Sequence, residues 1–360
     1  MMYKLFNPQS ESAFFSAPTE IRHAIYAYLL PEHIHLSLRE EKFRFSPCVQ
    51  LDEDDDPDCF TRRTNDANIF TNPRASDPIY ALRLTSSWDS HWRCEEAATR
   101  TQTDYGIDCN SIATALFLTC KRMLIEFAET TADLVVIHVN DIFSLDLVVS
   151  NALSHAPGSD RFVTSTLLSY ILPNLKALSI SMRLPRAAFT AHEAASISTS
   201  SLPSLIYTFN KIPLAIGYMS KLRRLRICLD HDEPCTWSVV DERATLSPLA
   251  PLGNLPRLDV TINLPKLHPK WESPDKHFTD DSALPPLVIH RRYRQRYHGI
   301  ESRDGAILVK YAPDFPILYE LAEPGESMEE LESMERRKWK AGEDPLDDIR
   351  AFEPACDIWF

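Results

Sequence analysis

The sequence predicts an α/β fold built around parallel strands, and three observations carry the prediction. Leu172–Met182 (LPNLKALSISM), Met219–Leu229 (MSKLRRLRICL) and Leu252–Ile262 (LGNLPRLDVTI) each place apolar residues at positions 1, 4, 7, 9 and 11. The opening half of that pattern has the spacing of a helical or turn connection and the closing half has the period of two of a strand. Each segment should therefore turn from a connection into a strand. RFVTSTLLSYI and LPSLIYTFNKIPLAIGY supply the helical crossovers that parallel strands need, the second broken near Pro213. An apolar β-branched run, LVVIHV (Leu134–Val139), follows directly on an amphipathic helix.

The elements follow in chain order. SAPTEIRHAIYAYLLP (Ser16–Pro31) is a punctuated helix: Pro18 suits its first turn, Glu20 meets the positive end of the helix dipole, and Pro31 stops it. Ile21, Ala24, Ile25, Tyr28 and Leu29 form its apolar stripe, with Arg22, His23 and Ala27 largely off it. HIHLSL (His33–Leu38) alternates as a half-buried strand, which places His33 and His35 together on a solvent-facing side. Residues 50–78, rich in Asp, Asn and Pro, read as a long mobile loop. A second amphipathic helix, SIATALFLTCKRMLIEFAE, carries a stripe of Leu116, Cys120, Met123, Leu124 and Phe127, while Lys121, Arg122, Glu126 and Glu129 face away; Ser111 is placed to cap it. Near the end, LVIHRRYRQRYH gathers Arg291, Arg292, Arg294 and Arg296 around Tyr293 and Tyr297. A solvated face whose arginines pair with the chain's excess acid is favoured there over a phosphate-binding strip. GESMEELESMERRKWKAGEDPLDDIR is an exposed charged helix running into a tail.

Composition narrows the function classes. The chain has 360 residues, 38 Lys+Arg against 51 Asp+Glu, and a net charge of -13, which opposes non-specific binding to nucleic acid and to anionic membranes. No apolar run reaches the length of a membrane span, and the opening residues lack a secretory signal, so an intracellular protein of cytoplasm or nucleus is expected. The eight cysteines are scattered, with no C-x-x-C pair and no glycosylation sequon, and read as reduced thiols. Cys228, His231 and Cys235 lie close in sequence but fit no standard metal spacing, and the acidic run Asp52–Asp58 lacks the glycine and final glutamate of a calcium loop. The eight glycines form no phosphate-cradling loop, and no G-x-S-x-G or H-E-x-x-H motif occurs. The expectation is no cofactor, no metal and no catalytic residues.

APTEIRHAIYAYLLP and ALFLTCKRMLIEFAETTADLVVIHV together resemble the F-box-like domain of a large group of fungal proteins. The match is carried by Pro18, Glu20, Ile21, Arg22, Tyr26, Leu29, Leu30 and Pro31, then Leu116, Leu118, Thr119, Cys120, Lys121 and Arg122. Residues 32–114 separate the two halves, and Ala17 stands where the motif usually has leucine. The three Leu segments are similar to the L-x-x-L-x-L core of leucine-rich repeats, although their starts at Leu172, Met219 and Leu252 lie further apart than the about 20–29 residues of such repeats. The resemblance implies F-box-like helices (residues 1–140) packed on a degenerate leucine-rich-repeat-like β/α array with parallel strands (141–300), followed by a charged helical tail (301–360).

The implied function is non-catalytic recognition of a partner protein, with the Skp adaptor of a cullin ubiquitin ligase as the candidate partner. Pro18, Glu20, Ile21, His23 and Ala27 are its candidate contacts. A stand-alone interaction protein is the alternative, and an enzyme of unrecognised type comes third. The stripe Ile21, Ile25 and Leu29 is expected to bury itself against the helix of Leu116, Cys120 and Phe127. That would leave the adaptor only a weak rim of Pro18, Glu20, His23 and Ala27, with the main partner site on the β/α array.

Overall fold

The computed structural model describes residues 9, 11–39, 42–49, 84, 86–88, 91–99, 119–154, 166–194, 202–279, 287–301, 307–322 and 325–347. The expected loop at 50–78, together with Ser111, Leu116 and Leu118, lies outside them. Helices and a mostly parallel sheet share the fold, as the α/β prediction requires. The sheet holds β1 (His33–Arg39), β2 (Lys42–Pro47), β3 (Val136–Val139), β4 (Ala177–Leu184), β5 (Arg224–His231), β6 (Asp259–Pro265) and β7 (Val288–Arg292). Its order is β2-β1-β3-β4-β5-β6-β7, and only the β1–β2 hairpin is antiparallel. The three Leu segments thus become neighbouring parallel strands, as their shared pattern predicts.

Their registers differ in one respect. Leu178 pairs with Leu225, position 7 against position 7, but Leu225 pairs with Val260, which is position 9 of the third segment. The third strand enters two residues late. A shift of two keeps every side chain on its face, so the core tolerates it.

The sheet's two faces differ in chemistry, because alternate residues point to opposite sides. One face stacks Ile34, Ile137, Leu178, Leu225 and Val260 in one row and Val139, Ile180, Ile227, Ile262 and Ile289 in the next. Apart from Ile34, these pack in a single core with α5 (Ile142–Ser154), α6 (Thr166–Ile171) and α8 (Leu202–Tyr218) through Leu145, Val148, Leu168, Phe209 and Ile212. The other face aligns His35, His138, Ser179, Arg226 and Thr261. It is covered too, for every residue of β4 is buried. α8 runs unbroken through Pro213, against the expected break, since a helix packed along its length can absorb the loss of one backbone donor.

The arginine-rich segment is not a solvated face. Arg294 and Arg296 are 2 % and 1 % exposed. Arg294 sends Nε to Asp230 Oδ1 at 2.7 Å and Nη1 to Asp314 Oδ2 at 3.3 Å, and Arg296 meets Glu320 Oε1 at 2.5 Å. Burial opposes ionisation of Asp230, but Arg294 and Arg292 outweigh it and hold the carboxyl well below its usual range. Pairing with acids occurs as expected; it occurs inside. β8 (Tyr297–Glu301) and β9 (Ile307–Tyr311) then form a separate hairpin, and α10 (Met328–Lys340) follows, capped by a Ser327/Glu330 box. α10 is not wholly exposed, because Met328, Leu331 and Glu335 are buried.

Candidate functional site

The N-terminal unit is built by α1 (Ala13–Ser16), α2 (Thr19–Leu29) and α4 (Lys121–Leu134), and α3 (Trp92–Thr99) lies between them in sequence. Pro18 is the N-cap of α2 and Leu30 leaves helical angles ahead of Pro31, so the punctuation acts within a residue or two of where the sequence puts it. Cys120 does not belong to the second helix's stripe. It is extended and caps α4, its sulfur accepting from Met123 N.

The buried face of α2 is not the aliphatic stripe. Ile21, Ile25 and Tyr28 are 53 %, 41 % and 91 % exposed, and Leu29 is only half-buried, whereas Arg22 and Tyr26 are inside. The Tyr26 ring meets Phe127 edge-on at 5.5 Å and its hydroxyl reaches Met123 Sδ at 3.0 Å. Arg22 donates Nε and Nη2 to the two oxygens of Glu126 at 2.8 and 2.9 Å. Glu126, expected to face away, is therefore the centre of the junction. A fork of charge-assisted hydrogen bonds and a fully buried aromatic fix the helix's rotation more strongly than a count of aliphatic residues. Burial raises the Tyr26 phenol well above its usual range. It also opposes ionisation of Glu126, which Arg22 and Arg122 overcome.

The rotation decides what the helix offers outward. At about 100° per residue, Glu20, Ala27, Ala24, Tyr28, Ile21 and Ile25 form one continuous outer arc. Of the candidate contacts, Pro18, Glu20, Ile21 and Ala27 are exposed and His23 is half-buried at the edge. The stripe expected to be consumed inside the chain is thus available, and the premise of a bare rim falls.

The histidines and cysteines also sit elsewhere than expected. His35 is fully buried on β1 rather than solvent-facing, because Trp88 stacks on its ring at 4.9 Å. It converges with Cys48 at the end of β2 and with His91 and Cys94 at the start of α3. One ligand atom from each lies within 4.8 Å of the others. The local set Cys228, His231 and Cys235 comes together only in part: Cys235 Sγ lies 3.9 Å from His231 Nε2, but Cys228 accepts from Asn263 Nδ2 at 3.2 Å, and His231 stacks on Trp237 and meets Arg294 Nη2 at 2.8 Å. Sequence spacing alone misses the first set, whose only local signal is His91-x-x-Cys94, one turn of helix apart.

Among the described residues no helix is long and apolar enough to cross a membrane. No curated protein and no solved structure matches the chain. One family model, described as a domain of unknown function (DUF7730), matches residues 7–280 and takes in the N-terminal unit, the His/Cys cluster and strands β1 to β6. With most of its length covered by that match, the chain belongs to the DUF7730 family.

Proposed function

We propose that the protein is a non-catalytic recognition module in which the outer arc of α2 docks on a Skp-type adaptor of a cullin ubiquitin ligase. The observation that supports this reading is the pairing of a rigidly held helix with an unburied apolar face. Arg22 and Tyr26 pin one side to α4, and Ile21, Ile25 and Tyr28 stand outward on the other. Three adjacent large apolar residues on one surface, one of them an aromatic, have the make-up of an interface anchor. The F-box-like pattern of residues 18–31 and 116–122 supplies the identity of the partner. The parallel strands in sequence order support a degenerate leucine-rich-repeat-like array as the remainder of such a receptor. An intracellular location, in cytoplasm or nucleus, belongs to the same reading.

Calorimetric titration of the full chain with a purified Skp-type adaptor tests it. The expected result is a saturable complex of about micromolar strength or tighter, lost in the Ile21→Asp/Tyr28→Asp variant with an unchanged melting temperature, because both side chains are exposed. No binding by the wild-type chain overturns the ligase link and leaves a stand-alone interaction protein; binding indifferent to those changes overturns the outer arc of α2 as the docking site.

A further inference from the structure

The His35, Cys48, His91 and Cys94 side chains come from three elements and meet in the interior between the β1–β2 hairpin and α3. Cys48 Sγ lies 3.5 Å from His91 Nδ1 and 3.7 Å from Cys94 Sγ, and Cys94 Sγ lies 3.7 Å from His91 Nδ1. A tetrahedral zinc ion with Zn–S of about 2.3 Å and Zn–N of about 2.0–2.1 Å has S···S edges of about 3.8 Å and S···N edges of about 3.5–3.6 Å. The three separations match those edges. They do not match a disulfide, whose sulfurs would be about 2.05 Å apart.

His35 provides the fourth corner, and an independent observation aims it there. Its Nδ1 pairs with Asn140 Oδ1 at 2.7 Å, which leaves Nε2 as the atom turned to the cluster. His35 is wholly buried, and its Nε2 has no hydrogen-bond partner. An oxygen acceptor holding the far nitrogen of a ligating imidazole is the usual outer support of a zinc-bound histidine, and the Asn140 carboxamide oxygen stands in that place. Trp88 stacked on His35 and the His138 ring 5.0 Å from both His35 and His91 complete a dry wall.

We propose that these four residues form a closed Cys2His2 zinc site with a structural role. Two thiolates and two imidazoles in a tetrahedron are a zinc donor set, and four protein ligands leave no open position for substrate or water. The ion joins β1, the end of β2 and α3, whose ligands flank residues 50–83 in the chain. It thereby fastens α3 over the polar face of the sheet, where strands carry His35 and His138 in place of aliphatic side chains.

Elemental analysis of the full chain, expressed in zinc-supplemented medium and purified without chelator, should find about one zinc per molecule. Chelation should lower the melting temperature, and adding zinc back should restore it. Cys94→Ser should lose the metal, whereas Cys228→Ser, in a cysteine outside the cluster, should keep it. If Cys94→Ser does not fold, cobalt(II) loaded into the chelated wild-type chain decides the matter. Tetrahedral visible bands with thiolate-to-cobalt charge transfer support the site. Wild-type protein without bound zinc, a cobalt spectrum without thiolate charge transfer, or a Cys48–Cys94 disulfide found by mass spectrometry overturns it.

Discussion

Replacing Glu126 by alanine should damage the N-terminal unit more than replacing the arginine it holds. The Arg22 side chain is 5 % exposed and Glu126 15 %. Without the carboxylate, the guanidinium keeps only Ala17 O at 2.5 Å and Thr19 Oγ1 at 3.2 Å, neither of them a counter-charge. Stranding one member of a buried pair costs about 3–5 kcal/mol. The two surviving acceptors and the partial exposure of Glu126 place this loss at about 2–4 kcal/mol. Arg22→Met should cost about 1–2 kcal/mol, because Glu126 retains Arg122 Nε at 2.9 Å and some water. The double variant Arg22→Met/Glu126→Leu should lie within about 1 kcal/mol of wild type, since removing both charges leaves none buried alone. Hydrogen exchange of the α2 amides is the fitting assay, because a terminal helix can open without global unfolding. The sign with pH follows from the lowered Glu126 carboxyl: the pair's contribution is present above the unfolded value of 4.5 and is lost as pH falls below it. The deficit of Glu126→Ala should therefore shrink in acid. A loss below 1 kcal/mol at neutral pH, or a double variant as poor as the sum of the singles, refutes the reasoning.

Two further outcomes are expected. Glu335 and His268 touch at 3.3 Å with both side chains fully buried; burial pushes the Glu335 carboxyl up to about 7 and His268 down to about 4. A raised carboxyl is fully compatible with folding below pH 4.5 and costs stability as pH rises toward 7. Glu335→Gln should therefore gain on wild type by on the order of 3 kcal/mol above pH 7 and by nothing below pH 4.5, a difference that thermal melts at pH 4.5 and 8 would read. Asp230→Asn removes the main counter-charge of Arg294, which keeps Asp314 at 3.3 Å, and should cost about 3–5 kcal/mol in urea unfolding. An unchanged midpoint would show the network to be indifferent to that charge.

Strand pairing was legible because it is repetitive: three copies of one apolar spacing predict three neighbouring strands, and the two-residue slip of β6 leaves the pattern's faces intact. The rotation of α2 was not legible. Local periodicity ranks Ile21, Ile25 and Tyr28 as the inner face, while the groups that decide the matter, Glu126 and Phe127, lie on α4 and enter only once the chain has folded back. The His/Cys cluster was hidden for the same reason. His35 and Cys48 are brought together by hairpin register and His91 and Cys94 by helix spacing, and no sequence window contains both pairs. The arginine-rich segment shows a third limit, since its charge balance was readable but its burial depended on acids contributed by β5, α9 (Glu242–Leu246) and the 3-10 turn Ile317–Leu321.

The family match ends at residue 280, but the ionic interior does not. Asp230 and Glu242 both lie inside that boundary and are almost inaccessible, at 2 % and 1 %. The arginines that neutralise them lie beyond it: Arg294 on Asp230, and Arg291 gripping both oxygens of Glu242 at 2.5 and 2.8 Å. A fragment cut at 280 would also lose β7, exposing the long edge of β6 to self-association. Without those residues the two carboxylates lose both their counter-charges and the cover that keeps water off them, so this part of the interior opens. The matched stretch is therefore not the whole of the folding unit, and expression of this chain for any of these experiments needs the residues beyond 280 that carry β7, Arg291 and Arg294.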